Sequence, residues 1–334
     1  MAEARARPRV LSGIQPDFGL HIGNYLGALR NWVRDQDEFE NFFCIVDLHA
    51  LTQHPDPDRL RANTLELAGL YVASGLDPKC CEIFVQSHVA AHTELTWILE
   101  CLTPMGWLER MTQFKARSQA QGRERIGAGV FTYPVLMTAD IVLYDADYVP
   151  VGEDQRQHIE LARDIAQRLN SLYGDVLTVP APLIREVGGR VMGLDSPEEK
   201  MSKSVAVGRP GHAVLMLDPP DVIRRKVRRA QTDAQPEVRA PLSAGVANLV
   251  DIYAGFREVD LDTALDELTG LTYGALKDRV ADAIIDVLTP IQGRYAALRA
   301  DDTALRALLA ESAARVSAIA GATLLRVQRA VGLR

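Results

Sequence analysis

Residues 9–24 read RVLSGIQPDFGLHIGN. Arg9–Ile14 is a short apolar run of strand character, and Gln15-Pro16 ends it. From Gly23 to Gln36 apolar residues return at Leu26, Leu29, Trp32 and Val33, the spacing of one helix face. The stretch is predicted to run strand, Gly- and Pro-bearing turn, helix. A unit of this kind opens an α/β fold, and the chain repeats it.

Phe42–Leu51 (FFCIVDLHAL) reads as a buried strand. Asp56-Pro57 offers an N-cap and a first-turn proline for a helix through Ser74, closed by Gly75. Cys81–Gln86 is another strand candidate, and helical patterns follow at 93–120 and 132–145. Tyr148–Val151 resembles a strand ending on Gly152, and Asp154–Tyr173 a helix stopped by Gly174. This alternation predicts a Rossmann-like parallel sheet with right-handed crossovers. Ligands bind beyond the carboxyl ends of such strands, which points to segments 12–24, 47–52 and 150–156.

From Pro219 onward the periodicity is helical, with Ile284, Ile285, Leu288 and Ile291 on one face. Leu305, Leu308 and Leu309 share another face, with Val316 beyond. A helical bundle is the expected second domain. Val187–Gly211, rich in Gly, Pro, Ser and charge, reads as a mobile loop between the two. The expected division is 1–204 and 205–334.

Composition narrows the function classes. The 334 residues carry 37 Lys and Arg against 44 Asp and Glu, a net charge of −7 that argues against a nucleic-acid coat protein. The acidity is uneven: residues 1–204 hold 20 basic and 28 acidic side chains, residues 205–334 hold 17 and 16. No run approaches the ~20 apolar residues of a membrane span, and the first ten residues are too polar for a secretory signal. Cys44, Cys80, Cys81 and Cys101 fit no metal-ligand spacing, so free thiols in a reducing cytoplasm are expected and no bound metal.

Three segments carry chemistry. Ser12–Asn24 ends on a helix start, where unpaired N–H groups and partial positive charge attract phosphate. His21 and Asn24 add donors there, and Gly23 lets a ring or phosphate approach the backbone. Taken alone, the segment reads equally as a tight turn with polar caps. Lys200-Met201-Ser202-Lys203-Ser204 places two lysines where they could close over a polyphosphate, although an isolated K-x-x-K is more often a solvated loop. Asp140 lies within the apolar stretch Tyr133–Leu143, where a carboxylate must be paired internally or bound to a ligand.

Together these residues resemble a family. Ser12–Asn24 is similar to the HIGH-type signature of the class I aminoacyl-tRNA synthetases, and Lys200–Ser204 to their KMSKS loop without a substitution. Further stretches resemble the bacterial, tryptophan-specific members: SGIQP with HIGNYLGAL, FCIVDLHALT, LERMTQFKAR and RVMG before KMSKS. So does TYPVLMTADIVLYDADYVPVGEDQRQHIELARDIAQRLN, whose VPVGEDQ block separates the chain from the tyrosine branch. The resemblance covers nearly the whole chain. It implies ATP with Mg²⁺, L-tryptophan and tRNA(Trp) as ligands, a homodimer, and an anticodon-binding role for 205–334.

Residue by residue, the resemblance implies that Gln15, Pro16, Asp17, His21, Gly23 and Asn24 surround ATP, with Gly152, Glu153, Asp154 and Val191. Lys200, Met201, Ser202, Lys203 and Ser204 would hold the triphosphate. Asp140 would accept the indole N–H, Tyr133, Met137, Val149 and Val151 would form the ring pocket, and His49 and Gln155 would place the amino acid. Lys200, Lys203, His21, Asn24 and Arg117 would act in catalysis. The chain departs from the family at Pro16-Asp17-Phe18, where Pro-Ser-Gly or Pro-Thr-Gly is usual, and at His21, where Thr is frequent. It also has Arg117 for an active-site lysine, and Val205-Ala206-Val207 for acidic residues.

RNA needs a local cationic footprint, and Arg224, Arg225, Lys226, Arg228 and Arg229 offer one on a helix whose Ile223, Val227 and Ala230 face inward. The alternative there is a solvated basic face. Competing readings of the whole are another HIGH-motif nucleotidyltransferase, and a synthetase paralogue serving as a tryptophan or tRNA sensor or as a partner of another enzyme.

Overall fold

The computed structural model describes residues 7–17, 19–121, 124, 126–152, 156–183 and 191–334. Five parallel strands, β1 (Arg9–Ile14), β2 (Glu40–Ile45), β3 (Cys81–Val85), β4 (Tyr148–Pro150) and β5 (Ala181–Leu183), lie in the order β3-β2-β1-β4-β5. Gly13 pairs with Cys44, Cys44 with Phe84, Val10 with Tyr148 and Tyr148 with Ala181. Phe42, Phe43, Cys44 and Ile45 have no exposed surface, as expected of a central parallel strand covered on both faces.

Of the predicted elements, 9–14 and 57–74 hold to the residue. Asp56 accepts the Arg59 N–H and Gly75 closes the helix at φ 115°. The run 42–51 does not remain a strand: it stops at Ile45, and Asp47–Ala50 turns helical. Asp47 accepts the Ser87 N–H (2.9 Å) and hydroxyl (2.5 Å), and Leu48 N–H donates to Gln86 (3.0 Å), so β2 is turned at its end by the end of β3. Gly23–Gln36 is helical but interrupted, with a π-helical turn at Tyr25–Leu29 between Ile22–Asn24 and Arg30–Arg34. Sequence periodicity missed β5. It has three residues, and its Pro182 is tolerated because β5 is an edge.

Eight of the helices among the described residues position the rest: α1 (Pro57–Ser74), α2 (Ala91–Leu102), α3 (Ala128–Val142), α4 (Arg156–Tyr173), α5 (Pro220–Arg228), α6 (Ala244–Arg257), α7 (Tyr273–Arg299) and α8 (Thr303–Ala330). One apolar cluster runs unbroken from Leu20 and Ile22 through Met201 and Val214 to Leu249 and Ile284. It joins the sheet to the helical region. The second cluster fills the opposite face around Leu11, Phe42, Phe84 and Ile159, and Val316, Leu324 and Val327 of α8 return to it. α8 is long and apolar enough to cross a bilayer, but Leu305, Leu309, Val316 and Val327 are buried in these two clusters. Arg315 and Ser312 of α8 tie to Glu82 of β3 at 2.8 and 2.6 Å.

Candidate active site

The first signature folds into a reciprocal cap. The Gly23 N–H donates to His21 Nδ1 (3.1 Å), and the His21 N–H donates to Asn24 Oδ1 (3.1 Å). With Nδ1 accepting, the ring proton of neutral His21 sits on Nε2. Burial first, then Lys203, Lys200 and His212, push this imidazole down to about 3. At neutral pH His21 is therefore an uncharged donor through Nε2. A Cβ on Gly23 would lie 2.9 Å from the His21 ring and 3.4 Å from Val191, so the glycine is needed for this close packing.

Backbone pairing brings the second signature alongside. The Ile22 N–H donates to Val214 (3.0 Å) and Met216 N–H to Leu20 (2.7 Å). Residues 191–201 form a short hairpin on that segment, with Met192 opposite Lys200 and Met201 N–H bonded to Val191 O (3.1 Å). Met201 is buried, anchoring the loop in the core, and Lys203–Gly208 is helical. Burial lowers the Lys203 ammonium, opposed by Asp17 and Glu66. Burial raises the Asp17 carboxyl, opposed by Lys203. Asp17 Oδ1 is buried without a hydrogen-bond partner among the described residues. Gln15, Pro16, Asp17, His21 and Lys203 thus share one end of the sheet, with Val191 and Lys200. Gly152 is exposed beyond β4, whereas Glu153, Asp154 and Gln155 lie outside the described residues, as does Phe18.

Asp140, on α3, is 3% exposed and fully engaged. Its Oδ1 meets Gln86 Nε2 (2.7 Å) and His92 Nδ1 (2.6 Å), and its Oδ2 meets His49 Nε2 (2.8 Å) and Gln86 again (2.9 Å). Burial alone would raise this carboxyl, but hydrogen bonds from His49 and His92 hold it well below the ordinary range. His92 continues to the Tyr144 hydroxyl at 2.8 Å. Sequence reasoning missed Gln86 and His92. Gln86 had a signal, since it follows β3 at the carboxyl edge; His92 had none.

His49 and Tyr133 line a cavity of about 380 Å³ with Thr52, Thr96, Trp97 and Val130. Arg117, on the helix Thr112–Gln121, opposes the burial that raises the Tyr133 hydroxyl, so its charge acts at this site. Met137, Val149 and Val151 pack into the second core cluster and do not line that cavity. Asp140 stands behind it and reaches it through His49.

On α5, Ile223 and Val227 face inward as expected, and Ala230 is buried just beyond the helix, which ends at Arg228. The cations are largely matched: Arg224 with Asp282 (2.6 Å), Arg225 with Asp221 (3.5 Å) and Arg228 with Asp278 (3.4 Å). Lys226 turns inward to Asp218 (2.6 Å) and Ala213 O (2.8 Å).

Residues 3–289 match a family model described as tRNA synthetases class I (W and Y). The chain is 49% identical to the tryptophan–tRNA ligase of Caldanaerobacter subterraneus subsp. tengcongensis, covering 97% of this chain and 98% of that one. It is 48% identical to the ligase of Wolinella succinogenes, covering 98% and 99%. The Campylobacter jejuni tryptophanyl-tRNA synthetase complexed with ADP and tryptophan superposes with a TM-score of 0.84 at 31% identity, covering 97% of this chain and 100% of that one.

Proposed function

Because this chain belongs to the class I tRNA synthetases of the tryptophan and tyrosine type, we infer that it activates L-tryptophan with ATP and transfers the tryptophanyl group to the 3′ end of tRNA(Trp). The convergence of the HIGH-type and KMSKS segments through the pairing of Leu20 and Ile22 with 214–216 carries this reading. In the first step a carboxylate oxygen of tryptophan bonds to the α-phosphorus as the bond to the β-phosphate bridge breaks. The electron pair leaves with pyrophosphate. In the second, a hydroxyl of the terminal tRNA adenosine attacks the activated carbonyl and AMP departs. Positioning and charge stabilisation supply the acceleration.

In this reading His21 Nε2–H and the Asn24 amide donate near the α-phosphate, while Lys200 and Lys203 neutralise the departing pyrophosphate. Gln15, Asp17, Gly23, Gly152 and Val191 border the nucleotide. Mg²⁺ would arrive on the ATP phosphates, keep most of its waters and add positive charge there. Asp140 acts in tryptophan selection by fixing His49, which lines the pocket with Tyr133, and the charge of Arg117 acts at the same place.

The catalytic part is residues 1–204, and 205–334 contacts tRNA. Leu51 and Trp97, 53% and 68% exposed on the rim of the cavity, favour a second copy covering this face. Four free cysteines suit a cytoplasmic enzyme.

Tryptophan-dependent ATP–pyrophosphate exchange tests the reading. Exchange with tryptophan is expected; exchange only with another amino acid would overturn the substrate, and none at all would favour a sensor. Reversing Arg225 and Arg228 to Glu should raise the KM for tRNA about tenfold and leave exchange within about twofold. Unchanged charging kinetics would return α5 to a solvated surface.

A further inference from the structure

The hairpin that presents the KMSKS segment has its outer edge closed by one side chain. Met192 stands opposite Lys200, and the flanking bonds run from Gly193 N–H to Glu199 O (2.8 Å) and from Met201 N–H to Val191 O (3.1 Å). The N–H and C=O of Met192 itself therefore point away from Lys200. Both are taken by Asn248 of α6. Met192 N–H donates to Asn248 Oδ1 (2.8 Å), and Asn248 Nδ2 donates to Met192 O (3.0 Å). One carboxamide acts as a third strand for a two-stranded edge.

Asn248 is 3% exposed, between Val246 and Leu249 of the apolar cluster shared by sheet and helical region. Gly245, one turn earlier, leaves no room for a Cβ, which would overlap the Gln231 carbonyl. That contact seats α6 close to the hairpin, and Gln231 N–H adds a bond to Leu194 O (2.7 Å). From the other side, buried His212 joins Asp195 (2.6 Å) to the Lys200 carbonyl (3.3 Å). The start of the KMSKS segment is held from both sides, and Asn248 is the tie that comes from a helix of the 205–334 region.

We propose that Asn248 is a positioning residue for adenylate formation: its two bonds to Met192 fix the strand from which Lys200 and Lys203 reach the polyphosphate. This rests on the reading of the KMSKS segment given above. Among the described residues Asn248 neither lines the cavity at His49 nor bonds to the Asp140 network, so its influence falls on the ATP half of the reaction. A loosened hairpin would have to order itself in each turnover before its lysines could meet the leaving group.

The test uses the full chain and pyrophosphate exchange, with the unaltered protein measured first; its inactivity would overturn the functional reading rather than this inference. Asn248→Asp keeps shape and the acceptor while replacing the donor to Met192 O with a repelling oxygen. Exchange at saturating tryptophan should fall about tenfold to a hundredfold in kcat/KM for ATP, with KM for tryptophan within about twofold. In a Lys200→Ala background the same substitution should cost several-fold less than in the unaltered protein, because part of its effect passes through Lys200. Asn248→Ser, which breaks both bonds without adding charge, gives the same readings should the Asp variant fail to fold. Equal losses for ATP and tryptophan, or full additivity with Lys200→Ala, would overturn the assignment.

Discussion

Lys203→Ala is expected to lower tryptophan-dependent exchange by about 10²–10³-fold, on the scale of removing one preorganised transition-state contact. The ammonium is partly buried, faces Asp17 and Glu66, and acts on His21. Burial disfavours its charge, so the folded protein gains little from it in the absence of a ligand. Its return comes when negative charge accumulates on pyrophosphate. The loss should therefore appear in kcat with ATP, while tryptophan binding measured without ATP stays within about twofold. Thermal stability should be unchanged or slightly higher. Equal weakening of tryptophan binding, or a collapse in stability, would show that Lys203 is structural.

Asp140→Asn is expected to raise the KM for tryptophan about a hundredfold or more and leave the KM for ATP within about twofold. The substitution places an amide N–H₂ against Gln86, His49 or His92, all of which now donate to the carboxylate. Breaking a buried charged network costs about 3–5 kcal/mol, so unfolding by urea should register it at neutral pH. The sign with pH follows from the depressed carboxyl. Its stabilisation is fully present above the unfolded-state value of about 3.9 and is lost as pH falls toward the lower folded value. The gap between the two proteins should therefore narrow below about pH 4. A gap constant with pH, or equal damage to ATP and tryptophan use, would remove Asp140 from the selective role.

Local chemistry was legible and long-range pairing was not. Asp56-Pro57 and Gly75 bound α1 because caps act within a few residues of themselves. The 42–51 run misled because apolar character does not report where a strand ends; Asp47 turning to Ser87 decides that. Both signatures could be read separately, but the bonds between Leu20–Ile22 and 214–216 join segments far apart in the chain. Gln86 and His92 complete the Asp140 network only through packing of β3 and α2 against α3. On α5 the cations could be counted, yet Asp278 and Asp282, which neutralise two of them, sit on α7. Net charge by segment anticipated neither pairing.

The return of α8 to β3 bears on how the protein is made. Glu82 on the outermost strand of the sheet has its carboxylate held by Arg315 and Ser312. Val316, Leu324 and Val327 complete the core on that side. During synthesis, β3 leaves the ribosome more than two hundred residues before its cover. Until α8 emerges, the nascent chain carries an unshielded sheet edge and an open apolar face, the surfaces that invite association between unfinished chains. This helix is thus the closing piece of a layer laid down more than two hundred residues earlier.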